Sequence, residues 1–142
     1  MPFLGSGSKG ALRQNGTTSI TEVTDGTSNT MLYSEIAGRD KVCLGRTCTP
    51  PPTPNALYTG LIWADADNRI TVTGADANGD KNPNGASCMN VSNVSDDIYA
   101  FQTGGANVAF ADGSVRFLRD SITIVQLVKM VTKAGGEIVS FK

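Results

Sequence analysis

Side-chain oxygens spaced two residues apart in glycine-containing loops are the pattern in this sequence that comes nearest to chemistry. Asp65-x-Asp67-Asn68 and Asp76-x-Asn78-Gly79-Asp80 carry it, and calcium is the ion such hard oxygen donors suit. The spacing departs from the EF-hand loop, which requires D-x-[DN]-x-[DN]-G and a distant Glu. Asp and Asn also gather in loops because their side chains make turns. The carboxylates Glu35, Asp65, Asp67, Asp96, Asp97 and Asp112 would form an acid–base pair only if two converged, and no spacing among them requires it. Asp96 and Asp97 point apart in an extended chain. Histidine is absent from all 142 residues. That removes the commonest general base, the commonest neutral metal ligand and the usual partner of a Ser or Cys nucleophile. Gly104-Gly105 precedes a strand pattern, the reverse of a glycine loop that feeds phosphate to a helix N-terminus. Catalysis is therefore not expected.

Three cysteines remain. Cys43 and Cys48 fall in one stretch, and a disulfide between them would suit an exported protein and leave Cys88 free. Pairing Cys88 with either would close a longer loop, and reduced thiols are the other reading. Three thiols without His make a poor zinc site. Asn15, Asn90 and Asn93 each begin an Asn-x-Ser/Thr sequon, expected by chance in a chain this rich in Asn and Thr.

Elements must position these groups. Residues 30–37 (TMLYSEIA), 56–64 (ALYTGLIWA, with the single Trp) and 69–73 (RITVT) read as strands, and residues 95–102 as a strand or an approach to one. Residues 19–25 allow one helical turn that stops at Gly26. Residues 1–16 form an irregular lead-in, residues 38–55 a Cys/Pro-rich surface loop, and residues 74–94 a long Asn/Asp/Gly-rich loop. Ile124, Leu127, Val128 and Val131 recur at helical spacing, so residues 120–134 read as a helix capped by Asp120 or Ser121 and stopped by Gly135-Gly136. Residues 137–141 read as a closing strand. The clearest feature is the hairpin over residues 104–118 (GGANVAFADGSVRFL), where Asp112-Gly113 joins two β-capable runs. Val108 with Phe110, and Val115 with Phe117, share a face of their strands, and both phenylalanines are expected in the core. Asp112 reads as a turn former whose carboxylate bonds nearby amides.

Bulk composition narrows the function classes. The net charge is −1 and the basic residues are scattered, so phosphate backbones and anionic lipid gain little here. No apolar run approaches the ~20 residues that span a bilayer. Residues 1–10 carry no charged-then-apolar leader, which leaves a cytoplasmic chain or one whose export segment lies elsewhere. The length suits one domain over residues 1–142.

The stretch DIYAFQTGGANVAFADGSVRFLRDSI resembles the C-terminal signature of the planctomycete family called domain of unknown function 1559. That signature is a His, nine residues, then Asp-Gly, typically within H-P-G-G-x-N-x-x-F-A-D-G-S-V-R-F. Gly104, Gly105, Asn107, Phe110, Ala111, Asp112, Gly113, Ser114, Val115, Arg116 and Phe117 match it, whereas Gln102 stands at the His position and Thr103 at the Pro position. ITEVTDGTSNTMLYSE, from Ile20 to Glu35, is similar to the family's I-T-D-G-T-S-N-T-L-x-x-G-E segment. Cys88 and Asn90 fall where members often have C-x-x-N-C, with Ser92 in place of the second Cys. The resemblance implies the C-terminal part of a pseudopilin-like protein, whose type IV pilin-like leader and membrane helix would come from sequence outside this chain. It further implies an extracytoplasmic location, in a family with no established enzymatic activity. One label used for the family points to solute binding. Gln102 can donate and accept hydrogen bonds but cannot titrate, so a structural tie near the hairpin is expected of it.

The expectation is thus an α+β, β-dominated fold: an antiparallel sheet with a C-terminal helix packed on it, as in a pseudopilin-like C-terminal domain. Its expected role is that of a non-catalytic structural or interaction module of a surface assembly. Its partners would be protein subunits, copies of itself included, and neither nucleic acid nor membrane. The alternative is a calcium- or small-solute-binding module using Asp65, Asp67, Asp76, Asn78 and Asp80.

Overall fold

The computed structural model describes residues 10–13, 15–37, 41–50, 72–76, 82, 85, 87–93 and 97–136. Among them the order is a 3-10 turn (Ile20–Glu22), β1 (Met31–Ser34), β2 (Val42–Leu44), β3 (Thr47–Thr49), β4 (Gly105–Phe110), β5 (Val115–Arg119) and α1 (Ile124–Val131). The fold is β-dominated, with antiparallel sheets of three and two strands and a single C-terminal helix. The larger sheet runs β1-β4-β5 and the smaller pairs β2 with β3. The expected strands at 56–64 and 137–141 lie outside the described residues, as does most of 69–73.

The chain divides into two compact units. One takes the described residues up to Tyr33, those of Val108–Arg116 and those from Val125 onward; the other takes those of Ser34–Asn107 and Phe117–Ile124.

In the first unit Ala11, Met31, Val108, Phe110, Leu127 and Met130 are buried. Asp25 is buried too, at 6 % exposure. Its carboxylate accepts the amides of Gly135 (2.7 Å) and Gly136 (2.8 Å) and the Thr132 hydroxyl (3.4 Å). A buried carboxylate is tolerated when amides and hydroxyls satisfy it in this way. The glycines therefore bind Asp25 rather than stop the helix, which ends four residues earlier at Val131. At its other end α1 begins at Ile124, so Asp120 and Ser121 lie in the turn before it and not at its cap. Glu22 accepts both the Ser19 amide (3.1 Å) and the Lys133 ammonium (2.5 Å), and it pairs with Arg13.

Residues 24–30 form a turn closed on itself: the Asn29 amide group donates to the Asp25 carbonyl (3.1 Å), and the Thr30 hydroxyl to that of Gly26 (3.1 Å). The carbonyls of Thr27 and Thr30 then accept the amides of Asp112 (3.1 Å) and Ala111 (2.8 Å), at the tip of the β4–β5 hairpin.

In the second unit Cys43, Cys88, Met89, Ile98, Tyr99, Ala100, Ala106 and Leu118 are buried. Residues 42–49 are not the extended loop that the Cys/Pro content suggested. They form a hairpin in which Val42 pairs with Thr49, Cys43 with Cys48 and Leu44 with Thr47. Strands of three residues are too short to show a period, and the prolines that follow dominated the reading. Gly45, with φ +55°, is the first of its two turn residues, the place where a type II′ hairpin favours glycine.

Phe110 is 1 % exposed, but Phe117 is 49 % and Val115 65 % exposed. The inward register of β5 falls instead on Leu118, which is buried, and on Arg116, which is partly so. Phe117 lies across Gly105, where a Cβ would come within 2.8 Å of its ring and 1.9 Å of the Leu118 carbonyl oxygen. Only glycine fits that contact.

Candidate functional site

The polar cluster of the second unit is built on Glu35, one residue past the end of β1. Its carboxylate accepts three hydrogen bonds: Gln102 Nε2 at 2.7 Å, the Asn107 amide at 2.6 Å and Asn107 Nδ2 at 3.3 Å. Gln102 and Asn107 are exposed and Glu35 partly so, placing the cluster at the surface. Gln102, four residues before the buried Ala106 of β4, is thus tied to a carboxylate, and its amide cannot move a proton there.

Three residues outside the cluster, Arg46, Tyr99 and Asn90, hold it in place. The Arg46 guanidinium donates to the carbonyls of Ala100 (3.0 Å), Phe101 (3.0 Å) and Gln102 (2.7 Å). The buried Tyr99 hydroxyl donates to the Gly45 carbonyl at 2.6 Å. Asn90, with φ +58°, accepts the Ala100 amide (2.7 Å) and donates to the Gly105 carbonyl (3.1 Å), spanning the segment on both sides of Gln102. Glu35 adds a backbone tie of its own, its carbonyl accepting the Tyr99 amide at 3.0 Å. Cys43 and Cys48 are joined by a disulfide. Asn93, 2 % exposed, accepts the Cys43 amide (2.8 Å) and donates to the carbonyls of Ala37 (3.3 Å) and Lys41 (2.9 Å). Asn90 and Asn93 are therefore interior ties rather than accessible sequon asparagines.

Asp112 has a separate, local role. Its carboxylate accepts the Ser114 hydroxyl (2.6 Å) and amide (2.9 Å). The hydroxyl bond first, and then the amide bond, hold its carboxyl below the usual range, with Arg116 adding to the effect. Arg116 lies 3.8 Å from Asp112 and 4.4 Å above the Phe110 ring centre. Gly113, at φ +84°, completes the turn in the left-handed region that glycine occupies without strain.

Of the other candidate acids, Asp97 is buried and accepts the Thr73 amide at 3.1 Å. Asp65, Asp67, Asn78, Asp80 and Asp96 lie outside the described residues, which leaves Asp76 as the described member of the calcium set. Among the described residues no three His, Cys, Asp or Glu side chains are grouped to hold a metal ion. Cys88 is a buried free thiol whose proton faces the Ile122 carbonyl at 3.5 Å. Burial, with Asp97 adding to it, raises its pKa to about 11, which makes it a poor nucleophile.

Reasoning from residue types gave no role to Arg46 or Tyr99, and met Asn90 only as a sequon and beside Cys88 in the family resemblance. Glu35 entered it only as one acid among six, although it closes the upstream matching segment. That position was the signal available.

These features define a β-dominated module whose distinctive polar residues bond to one another and to backbone. The sequence profile of the family described as "Protein of unknown function (DUF1559)" matches residues 4–124, most of the chain, and the chain belongs to that family. No curated protein and no solved structure matches it.

Proposed function

We propose that this chain is a non-catalytic extracytoplasmic module, structural or interaction-based, of a pilin-like or secretion-associated surface assembly. The observation that carries this reading is the state of its matching segments: the groups able to do chemistry are engaged internally. The Glu35 carboxylate holds Gln102 and Asn107, and the Asp112 carboxylate holds Ser114. Two further features support it. A Cys43–Cys48 disulfide suits an oxidising compartment. On β5 the side chains of Val115 and Phe117 stand exposed on an outer strand of the β1-β4-β5 sheet, the kind of edge through which strands recruit protein partners. Among the described residues no helix is long and apolar enough to cross a membrane.

The test is fractionation of the source cells with thiol labelling. Recovery in the surface or secreted fraction, with Cys43 and Cys48 alkylated only after reduction, is the expected result. Recovery in the cytosol with both thiols alkylated directly would overturn the reading. Sedimentation velocity of the purified chain adds the interaction arm: Val115→Asp with Phe117→Asp should weaken association, self or partner, without loss of folding.

A further inference from the structure

The short hairpin at residues 42–49 and the Glu35 cluster belong to the same compact unit and are mechanically linked. The hairpin tip is turned toward the segment carrying Gln102, while its Gly45 amide donates to the Val91 carbonyl at 2.7 Å. The Gly45 carbonyl takes the Tyr99 hydroxyl, and Arg46 binds three successive carbonyls ending at Gln102 itself. Gln102 in turn bonds Glu35, which also holds the Asn107 amide. The hairpin has two strands of three residues each, and two-stranded hairpins of this size are marginal in water on their own. Its cross-link sits at the central pair, Cys43 opposite Cys48, with only the Leu44–Thr47 pair between it and the Gly45-Arg46 tip.

We propose that the Cys43–Cys48 disulfide is a redox latch on the Glu35–Gln102–Asn107 cluster. Oxidised, it holds the Gly45-Arg46 tip against residues 99–102 and keeps the cluster closed. Reduced, it lets the tip fray, releases the three carbonyls from Arg46 and frees the Glu35 carboxylate of Gln102. The chemistry needs a dithiol reductant. Cys43 is fully buried and Cys48 only partly so, so a thiolate of the reductant attacks Cys48 Sγ. The S–S electron pair leaves on Cys43 Sγ, which takes a proton. The reductant's second thiol then closes on its first, expelling Cys48, which is protonated in turn. Two electrons and two hydrogens pass to the cysteine pair, and the dithiol becomes a cyclic disulfide. The latch does not rest on the assembly role proposed above.

Amide hydrogen exchange on the full chain, followed residue by residue by NMR with and without dithiothreitol, tests it. Reduction should lower protection at Gly45, Ala100 and Asn107 roughly tenfold or more, while Ala111 and Asp112 stay within about twofold. Cys43→Ser with Cys48→Ser should reproduce the reduced pattern without reductant. Arg46→Ala, with the disulfide intact, should lower protection at Ala100 and Asn107 but leave Gly45 protected. Unchanged exchange at Ala100 and Asn107 in the reduced protein would overturn the latch. A uniform loss across all five amides would overturn it equally, because the disulfide would then be holding the whole fold and not this cluster.

Discussion

Two phenylalanines in one hairpin separate what a residue type predicts from what its place decides. Phe110 is 1 % exposed and Phe117 49 %, although both lie in well-patterned strands. Phe110→Ala should cost about 3–5 kcal/mol, the range for a buried phenylalanine that leaves a cavity. Phe117→Ala should cost about 1 kcal/mol, since only about half of the side chain leaves water. Urea denaturation of the two variants checks the ranking, and equal losses would contradict the placement of β5. Glu35→Ala removes the acceptor of three hydrogen bonds, and bonds to a charged group support a loss of roughly 1–3 kcal/mol, read in the same way. Residue types alone pointed to Glu35 as a candidate acid. Its actual partners, Gln102 and Asn107, lie 67 and 72 residues away. No local spacing encodes a contact over that distance; only the pairing of strands does.

At the scale of elements, legibility followed length. The β4–β5 hairpin declared itself through alternation and the Asp-Gly turn, and α1 through its 3.6-residue period, because both are long enough to repeat their pattern. The helix boundaries came out too wide. Capping and stopping residues were assigned by type, whereas Gly135 and Gly136 answer to the Asp25 carboxylate. The hairpin at residues 42–49 is not legible in the sequence, because three-residue strands carry no period and a disulfide, not patterning, closes them. Within the β4–β5 hairpin two glycines should respond differently to alanine. Gly113 has φ +84° with open space around it, so Gly113→Ala should cost about 1–2 kcal/mol for the left-handed backbone, and Gly113→Asn less. Gly105 has no such space: a Cβ would meet the Leu118 carbonyl oxygen at 1.9 Å, and backbone cannot yield there without loss of strand pairing. Gly105→Ala should therefore be the worse of the two, by a lower urea midpoint or failure to fold, and the reverse order would contradict the close approach.

At the scale of the whole molecule, the two segments that carry the family resemblance meet in both compact units. In one, the Thr27 and Thr30 carbonyls take the Asp112 and Ala111 amides; in the other, Glu35 takes Gln102 and Asn107. A chain fastened by carboxylates to amides and cations should be sensitive to acid, and Glu22 isolates one such tie. The Lys133 hydrogen bond first, then the Ser19 amide and the charge of Arg13, lower its pKa from 4.5 to about 2. A folded-state pKa below the unfolded one stabilises the fold above the unfolded value, and that contribution is lost as pH falls toward the folded value. The stability that Glu22 contributes should accordingly be present above pH ~4.5 and be lost as pH falls through about 2. Asp112 is held below the usual carboxylate range as well, so the wild-type curve alone cannot assign the effect. The difference between wild type and Glu22→Gln can. It should be constant at neutral pH, shrink between about pH 4.5 and pH 2, and vanish below that range. A difference that persists unchanged to the acid end would show that Glu22 acts through shape and not charge, and that Lys133 is held by other means.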